Sequence, residues 1–264
     1  MQEGKLTGSE ARKRIRDGQW LAPTASLARG YVQANLVIVD RSLADDFEQF
    51  CLLNPRPLPL IERLAVGSPR TVSCAQNADV RTDLPRYRIY EDGVMQREPT
   101  NLLDIWQDDW CAFLLGCSFT FDAILADKGI PVRHLEQSCN VPMYKTNRPL
   151  KSSGPFAGNL VVSMRPMPAT CIDQVIELTR PLELAHGEPV QIGVAEALGI
   201  LNLDLPDYGD AVEIRSDEVP VFWACGVTAQ HVAQTSRIPL TVTHAPGHMF
   251  VTDLRIDDRE NEDL

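Results

Sequence analysis

Two histidines lie four residues apart in THAPGHMFVTDL, close to the C-terminal end of the sequence. His244 and His248 could ligate a metal, share acid and base catalysis, or form ordinary hydrogen bonds in a loop. This spacing aligns two zinc ligands only on a helix, whereas the intervening Pro246-Gly247 predicts a turn. Asp253 could add a third ligand from a strand end. The motif leaves these interpretations open. We expect no metal and treat the pair as catalytic candidates, because imidazoles titrate near neutral pH.

Two predicted strands carry polar side chains that could bind a small anion. Gln33 and Asn35 fall on one face of YVQANLVIVD, residues 31–40, because strand side chains alternate. Buried amides need partners, so the pair indicates either a substrate-binding surface or an internal network. Arg165 in LVVSMRPM is expected at the C-terminal end of a buried strand, where open α/β sheets bind ligands. Its guanidinium could clamp a substrate carboxylate or form a structural ion pair.

Further candidates lie in CNVPMYKTN and at two cysteines. Lys145 is a candidate catalytic or anion-binding group, with Asn140 and Tyr144 as candidate substrate ligands; a solvated surface is the alternative. Cys117 lies near a predicted helix start, which would lower the pKa of its thiol. Cys225 ends a predicted buried strand. Both cysteines are candidate substrate contacts, although such thiols also serve as small packed apolar side chains.

Composition excludes several classes of protein. The 264 residues include 36 acidic and 25 basic side chains, a formal charge of −11, which argues against binding to nucleic acid. The sequence has no apolar run long enough to cross a membrane and no apolar signal core, so we expect neither membrane insertion nor secretion. Seven cysteines without a CxxC pair favour reduced thiols and a cytoplasmic location. The sequence does not fix the oligomeric state, and a homo-oligomer is compatible with it.

The elements that must position these residues form an α/β pattern. Strands are expected at 31–40, 159–164, 189–192, 219–227 and around THAPGHMFVTDL, and Asp92-Gly93 predicts a hairpin turn. Thr7 and Glu10 have the spacing of a capping box and predict a helix that begins after Thr7. Further helices are expected after Ser42, at 102–115 from its apolar spacing, from Ser118 to Gly129, at 170–179, in a short segment ending at Gly199, and from Thr228. We therefore predict a main domain of residues 1–150 and 215–264, with a smaller α/β domain inserted at 151–214 after a linker. The acidic tail at 255–264 is expected to be disordered.

Eight segments together resemble one family along nearly the whole chain, from about residue 8 to residue 254. They are GYVQANL, RTDLPRYRIY, FLLGCSF, NVPMYKTN, VVSMRPM, GDAVEI, VPVFWACGVT and THAPGHMFVTDL. The family is named "putative hydro-lyase" and is also called the D-glutamate cyclase family. The resemblance implies an α/β fold with a layered main domain, whose sheet we expect to be mixed, and a smaller two-layer α/β domain. It also implies a hydro-lyase that acts on a small carboxylated metabolite, with reversible dehydration of D-glutamate to 5-oxo-D-proline as the specific reaction.

That reaction requires a cation for the α-carboxylate, an acid, a base, and donors for a tetrahedral oxyanion. We expect Arg165 and Lys145 to bind the anionic groups of the substrate. We expect His244 and His248 to transfer protons. The candidate oxyanion donors are Gln33, Asn35 and Asn140. Other candidate substrate contacts are Tyr144, Cys117 and Cys225. The chemistry needs no electron transfer or carbanion, so no cofactor is expected. Two alternatives are a metal-assisted hydro-lyase that uses His244, His248 and Asp253, and a non-catalytic small-molecule binding protein.

Overall fold

The larger of the two sheets that the described residues form has seven strands, five of which come from the first half of the chain. A computed structural model describes residues 5–25 and 27–256. The strands are β1 (Tyr31–Asp40), β2 (Leu60–Arg63), β3 (Tyr87–Glu91), β4 (Val94–Arg97), β5 (Trp110–Gly116), β10 (Leu240–His244) and β11 (Phe250–Arg255). Their order is β2-β5-β1-β10-β3-β4, and β11 pairs with β1 beyond the end of β10.

The smaller sheet has four strands in the order β6-β7-β9-β8. They are β6 (Met143–Pro149), β7 (Asn159–Pro168), β8 (Gln191–Ile192) and β9 (Glu218–Ala224). Two of them, β6 and β9, lie outside the predicted inserted domain of residues 151–214. The α/β fold class is confirmed, but all strand pairs in the described residues are antiparallel, so the expected mixed sheet is not found.

Six α-helices cover these sheets in the part of the chain that the structure describes. They are α1 (Gly8–Arg16), α2 (Ala44–Leu53), α3 (Phe119–Asp127), α4 (Arg133–Glu136), α5 (Ile172–Thr179) and α6 (Val227–Thr235). Helix α1 begins with the predicted capping box, in which Thr7 and Glu10 each accept a hydrogen bond from the other's backbone N–H. No described helix combines the length and apolarity that crossing a bilayer requires.

The predicted helix at 102–115 is wrong, because its second half belongs to β5, an interior strand of the larger sheet. Trp110, Ala112 and Leu114 pack into the core on one face of the sheet. The alternate residues, Cys111 and Phe113 among them, pack into the core on the other face. A strand buried on both faces is apolar throughout, so its sequence has no alternation of polarity and imitates a helical pattern. The corner at Cys117 therefore joins a strand to a helix, not two helices.

The C-terminal strand extends into the segment expected to be a disordered tail. Arg255 is the last residue of β11, and Ile256 is buried at 5% exposure. The rest of the predicted tail, residues 257–264, lies outside the described residues. The structured chain therefore includes at least the first two positions of that segment.

Candidate active site

Two strand-to-helix corners meet where the sheets contact each other. The first joins β5 to α3 through Cys117 and Ser118, and the second joins β9 to α6 through Cys225 and Gly226. Asn35 on β1 lies between them, and its Nδ2 donates to the Gly116 carbonyl at 2.6 Å. A Cβ on Gly226 would overlap the Asn35 amide, so the second corner approaches this side chain closely. Asn35 therefore lies in an internal contact between the corners.

The two cysteines of these corners share one apolar cluster with side chains that include Phe119, Met143 and Met249. Burial raises the pKa of Cys225 to about 11 and raises the pKa of Cys117 as well. The prediction that a helix start would lower the Cys117 pKa is therefore wrong, because desolvation outweighs the hydrogen bond from the Phe119 backbone. These contacts favour the interpretation of both thiols as packed side chains.

Arg165 does not lie at a strand end, because β7 continues to Pro168. Its Nε donates to Asp122 Oδ1 at 2.6 Å and its Nη2 to Asp122 Oδ2 at 3.0 Å, and both side chains are buried. The remaining N–H groups bind Ser118 and Ser163. Burial alone would raise the pKa of Asp122, but Arg165 and His134 lower it to about 2. The guanidinium is occupied, which favours the structural ion pair over a substrate clamp.

Gln33 belongs to an internal network. Its Oε1 accepts from the Thr24 hydroxyl at 2.8 Å, and its Nε2 donates to the carbonyls of Thr24 at 2.8 Å and Leu27 at 3.2 Å. The Thr24 hydroxyl also accepts from the Met249 N–H at 3.0 Å. Gln33 thus fixes the loop that follows β10, and its amide has no free donor for an oxyanion.

The three candidates from CNVPMYKTN lie in different environments. The Tyr144 hydroxyl donates to the Leu203 carbonyl at 2.6 Å within the core of the smaller sheet. Asn140 is half-buried, and its N–H donates to Asp210 at 2.9 Å. The exposed Lys145 has its Nζ 3.5 Å from Asp207 and 5.4 Å from the centroid of the Tyr208 ring.

The His244 ring fills a gap in the larger sheet. Strand β10 pairs with β1 as far as Val37, and β11 resumes the pairing at Ala34. Between them, the Leu36 N–H donates to His244 Nδ1 at 3.2 Å. Burial lowers the pKa of His244 to about 4, so its imidazole is neutral at pH 7.

His248 is half-buried, with its Nδ1 2.9 Å from the Pro246 carbonyl. Burial lowers the pKa of this imidazole too. The Asp253 carboxylate, the third ligand of the metal alternative, instead accepts two hydrogen bonds from Arg12, at 3.0 and 2.9 Å. Within residues 5–25 and 27–256, no three His, Cys, Asp or Glu side chains are grouped as a metal site would require.

A group of cations next to these histidines was not among the predicted site residues. Arg86 Nη1 lies 3.2 Å from Glu98 Oε1, and Arg88 Nε lies 2.8 Å from Glu98 Oε2. Burial is the main cause of the lowered pKa of both histidines. The charge of Arg88 makes a smaller contribution to the lowering at His244, and the charge of Arg86 does so at His248. The alternation in RYRIY was the available signal, since it places both arginines opposite the buried Tyr87 and Ile89.

Helix α6 covers this group from the other side. Gln230 Nε2 donates to the His244 carbonyl at 2.9 Å, and Tyr208 Oη donates to Gln234 Oε1 at 3.3 Å. Burial, followed by the neighbouring Tyr90, raises the pKa of Tyr208 to about 12. We call the whole group the polar junction, and it comprises Arg86, Arg88, Tyr90, Tyr208, Gln230, His244 and His248. It brings together both predicted histidines, with Lys145 next to Tyr208 at its edge, and leaves Arg165, Gln33 and Tyr144 outside.

Surface clefts also lie elsewhere in the described part of the chain. One, of about 350 Å³, is lined by residues that include Arg56, Arg180 and His186. Another, of about 370 Å³, is lined by residues around Ala195 and Leu203. Neither cleft is lined by a predicted site residue. The polar junction, which contains both predicted histidines, is therefore our candidate active site.

The chain is similar over most of its length to curated bacterial proteins. Three relatives, each named "Putative hydro-lyase", come from Thermoanaerobacter sp. strain X514, Rubrobacter xylanophilus and Geobacillus kaustophilus. The Thermoanaerobacter protein is 51% identical over 95% of this chain and 94% of its own length. The Rubrobacter protein is 53% identical over 96% of this chain and 97% of its own length. The Geobacillus protein is 48% identical over 95% of both chains.

A family description and one solved structure complete the comparison. The solved structure of a nitrogen repressor-like protein from Methanococcus jannaschii aligns with a TM-score of 0.39 at 11% identity, covering 92% of this chain and 97% of that one. This score is too low to establish a common fold. The family model described as D-glutamate cyclase matches residues 111–253, more than half of the chain. With the 48–53% identity to the curated relatives, this match shows that the chain belongs to the D-glutamate cyclase family.

Proposed function

We propose that this protein is a hydro-lyase that acts on a small carboxylated metabolite, and that it reversibly dehydrates D-glutamate to 5-oxo-D-proline. The family and the names of the relatives support the class of reaction. One structural observation supports the choice of site: the half-buried His248 imidazole, whose pKa is lowered, lies near the Arg86 guanidinium, which shares the Glu98 carboxylate with Arg88.

The chemistry defines what the site must supply. The amine nitrogen of D-glutamate forms a bond to its γ-carboxyl carbon, and one C–O bond of that carboxyl breaks. Two protons leave the ammonium nitrogen, and both end in the departing water. A neutral base that carries each of these two protons in turn from nitrogen to the departing oxygen therefore satisfies the balance.

His248 is suited to this proton transfer. When its Nδ1–H donates to the Pro246 carbonyl, the lone pair of Nε2 is available as the base. The lowered pKa keeps the ring neutral at pH 7. His244 instead accepts the Leu36 N–H in a fully buried position, and we assign it to positioning the loop that carries His248. Lys145, at the edge of the junction, is proposed to attract the second carboxylate of the substrate.

Turnover of D-glutamate and of 5-oxo-D-proline, followed by NMR and chiral chromatography, tests the proposal. The wild-type protein is expected to interconvert them, and His248→Ala to reduce turnover at least about 100-fold, within the usual range for acid–base catalysis. His186→Asn is the control: it removes a buried histidine outside the junction and retains a side-chain donor for the Arg56 carbonyl.

Two results would contradict the proposal. Near-normal turnover by His248→Ala would remove this residue from catalysis. A wild-type protein that D-glutamate stabilises thermally but that converts neither compound, in a panel extended to L-amino acids and hydroxy acids, would be a binding protein instead.

A further inference from the structure

Buried polar atoms in the polar junction lack partners. Tyr90 and Gln230 are each 1% exposed, yet neither the Tyr90 hydroxyl, which lies near the Arg88 guanidinium, nor Gln230 Oε1 has a partner with hydrogen-bond geometry among the described residues. Arg86 Nε is a third such atom. A buried polar group without a partner costs free energy, so native proteins usually satisfy it with protein, water or ligand.

These atoms belong to surfaces that face each other. Arg88 and Tyr90 alternate onto one face of β3, opposite Thr243 and Thr241 of β10. Helix α6 lies over this face, because Gln230 contacts the His244 carbonyl at one end of the pairing. At the other end, a Cβ on Gly93 would overlap the carbonyl of Gln234. Gln230 and Gln234, four residues apart, therefore lie over the strand segment that carries Arg88 and Tyr90.

The charges are also unbalanced in favour of an anion. In the described part of the chain, Glu98 is the carboxylate within ion-pair distance of both Arg86 and Arg88. Two guanidiniums against one carboxylate leave an excess positive charge, in a chain whose formal charge is −11. The Arg88 side chain is only 28% exposed, so solvent compensates this charge only in part.

We propose that Arg88, Tyr90 and Gln230 form the recognition site for an α-amino acid. The carboxylate of the ligand accepts hydrogen bonds from the Arg88 guanidinium and the Tyr90 hydroxyl, and Arg86 adds charge. Gln230 Oε1 accepts from the ligand's ammonium group, a donor that a simple carboxylic acid lacks. The identification of the ligand as an amino acid rests on the proposed function. The excess positive charge and the unpaired buried atoms are observed independently of that function.

Calorimetric titration of the wild-type protein and variants with D-glutamate and with glutarate, which lacks the amine, tests each contact separately. Arg88→Met is expected to weaken both ligands about 10- to 100-fold, as loss of a charged hydrogen bond does, and Tyr90→Phe about 2- to 10-fold. Gln230→Met is expected to weaken D-glutamate and leave glutarate within about twofold. Arg97→Met removes an exposed arginine of the same hairpin and is expected to change neither affinity.

Several outcomes would overturn the recognition site. They are unchanged affinity in both Arg88→Met and Tyr90→Phe, an equal effect of Arg97→Met, or no binding of either ligand by the wild-type protein. Tyr90→Phe removes one oxygen atom, so it decides the question if Arg88→Met does not fold. Binding with the expected variant effects but without turnover contradicts only the proposed function. Turnover with an unchanged KM in both variants contradicts only the recognition site.

Discussion

Asn35 and Gly226 are in direct contact, although one lies on the larger sheet and the other follows the last long strand of the smaller sheet. The Asn35 amide donates to the Gly116 carbonyl at 2.6 Å and occupies the space that a Cβ on Gly226 would need. The two sheets therefore contact each other at a point where position 226 has no room for a side chain and the Asn35 amide fills the space.

This contact predicts that Gly226→Ala destabilises the protein by about 1–3 kcal/mol, the usual cost of overpacking. In an Asn35→Ala background the same substitution is expected to cost less, because the obstructing amide is gone. Urea unfolding of both single variants and the double variant measures this coupling. Strictly additive effects would show that the two residues do not compete for the same space.

The Arg165–Asp122 pair predicts a large loss of stability when one charge is removed. Arg165→Ala leaves a buried carboxylate with its main partner missing, at an expected cost of about 3–5 kcal/mol. Arg180→Ala is the control, since its pair with Glu188 is exposed and is expected to contribute about 0–1 kcal/mol. Equal unfolding free energies for the two variants would contradict the structural role. An activity loss in Arg165→Ala alone would not demonstrate substrate binding.

His244 predicts a stability that depends on pH between about 6.5 and 4. Its folded-state pKa, about 4, lies below the ordinary value of 6.5, so the unfolded state takes up the proton first. Its stabilising contribution, roughly 3 kcal/mol, is complete above pH 6.5, decreases as the pH falls, and is lost near pH 4. His186, with a pKa also lowered by burial to about 4, contributes in the same direction.

His244→Asn isolates the share of this residue, because its side-chain oxygen can still accept the Leu36 N–H. Unfolding free energies measured at pH 7 and pH 4.5 are expected to differ less for this variant than for the wild-type protein. An identical difference in both proteins would mean that His244 does not remain neutral in the folded state.

Local signals in the sequence predicted much of the fold. The boundaries of β1 and the Thr7 capping box depend on neighbouring residues, and both are found as expected. The Asp92-Gly93 turn is also found, with positive φ angles of 49° and 81° that suit a tight hairpin. Strand β5 was missed because burial on both faces comes from distant strands and helices, which local periodicity does not report.

The site was less predictable because its partners are remote in sequence. Asp122 lies 43 residues before Arg165. Because the sequence does not show that the two side chains meet, the Arg165 guanidinium could be predicted as free to bind a substrate carboxylate. The pairing of Arg88 with Glu98 depends on the hairpin bringing β3 beside β4 and the residues that follow it. The histidines could be nominated by residue type, but their different environments follow from where β10 leaves β1.

If His248 is the base, its titration determines the acid side of the pH–rate profile. Burial lowers its pKa below 6.5, so kcat/KM is expected to rise with pH through a midpoint below 6.5 and then level off. Arg86 contributes to this lowering through its positive charge, whereas Glu98 opposes it. Arg86→Met is therefore expected to move the midpoint to higher pH, because removal of a cation stabilises the protonated imidazole. Weaker substrate binding in this variant would lower the plateau without moving the midpoint. A profile whose midpoint stays fixed in Arg86→Met, or moves to lower pH, would show that another group is the base.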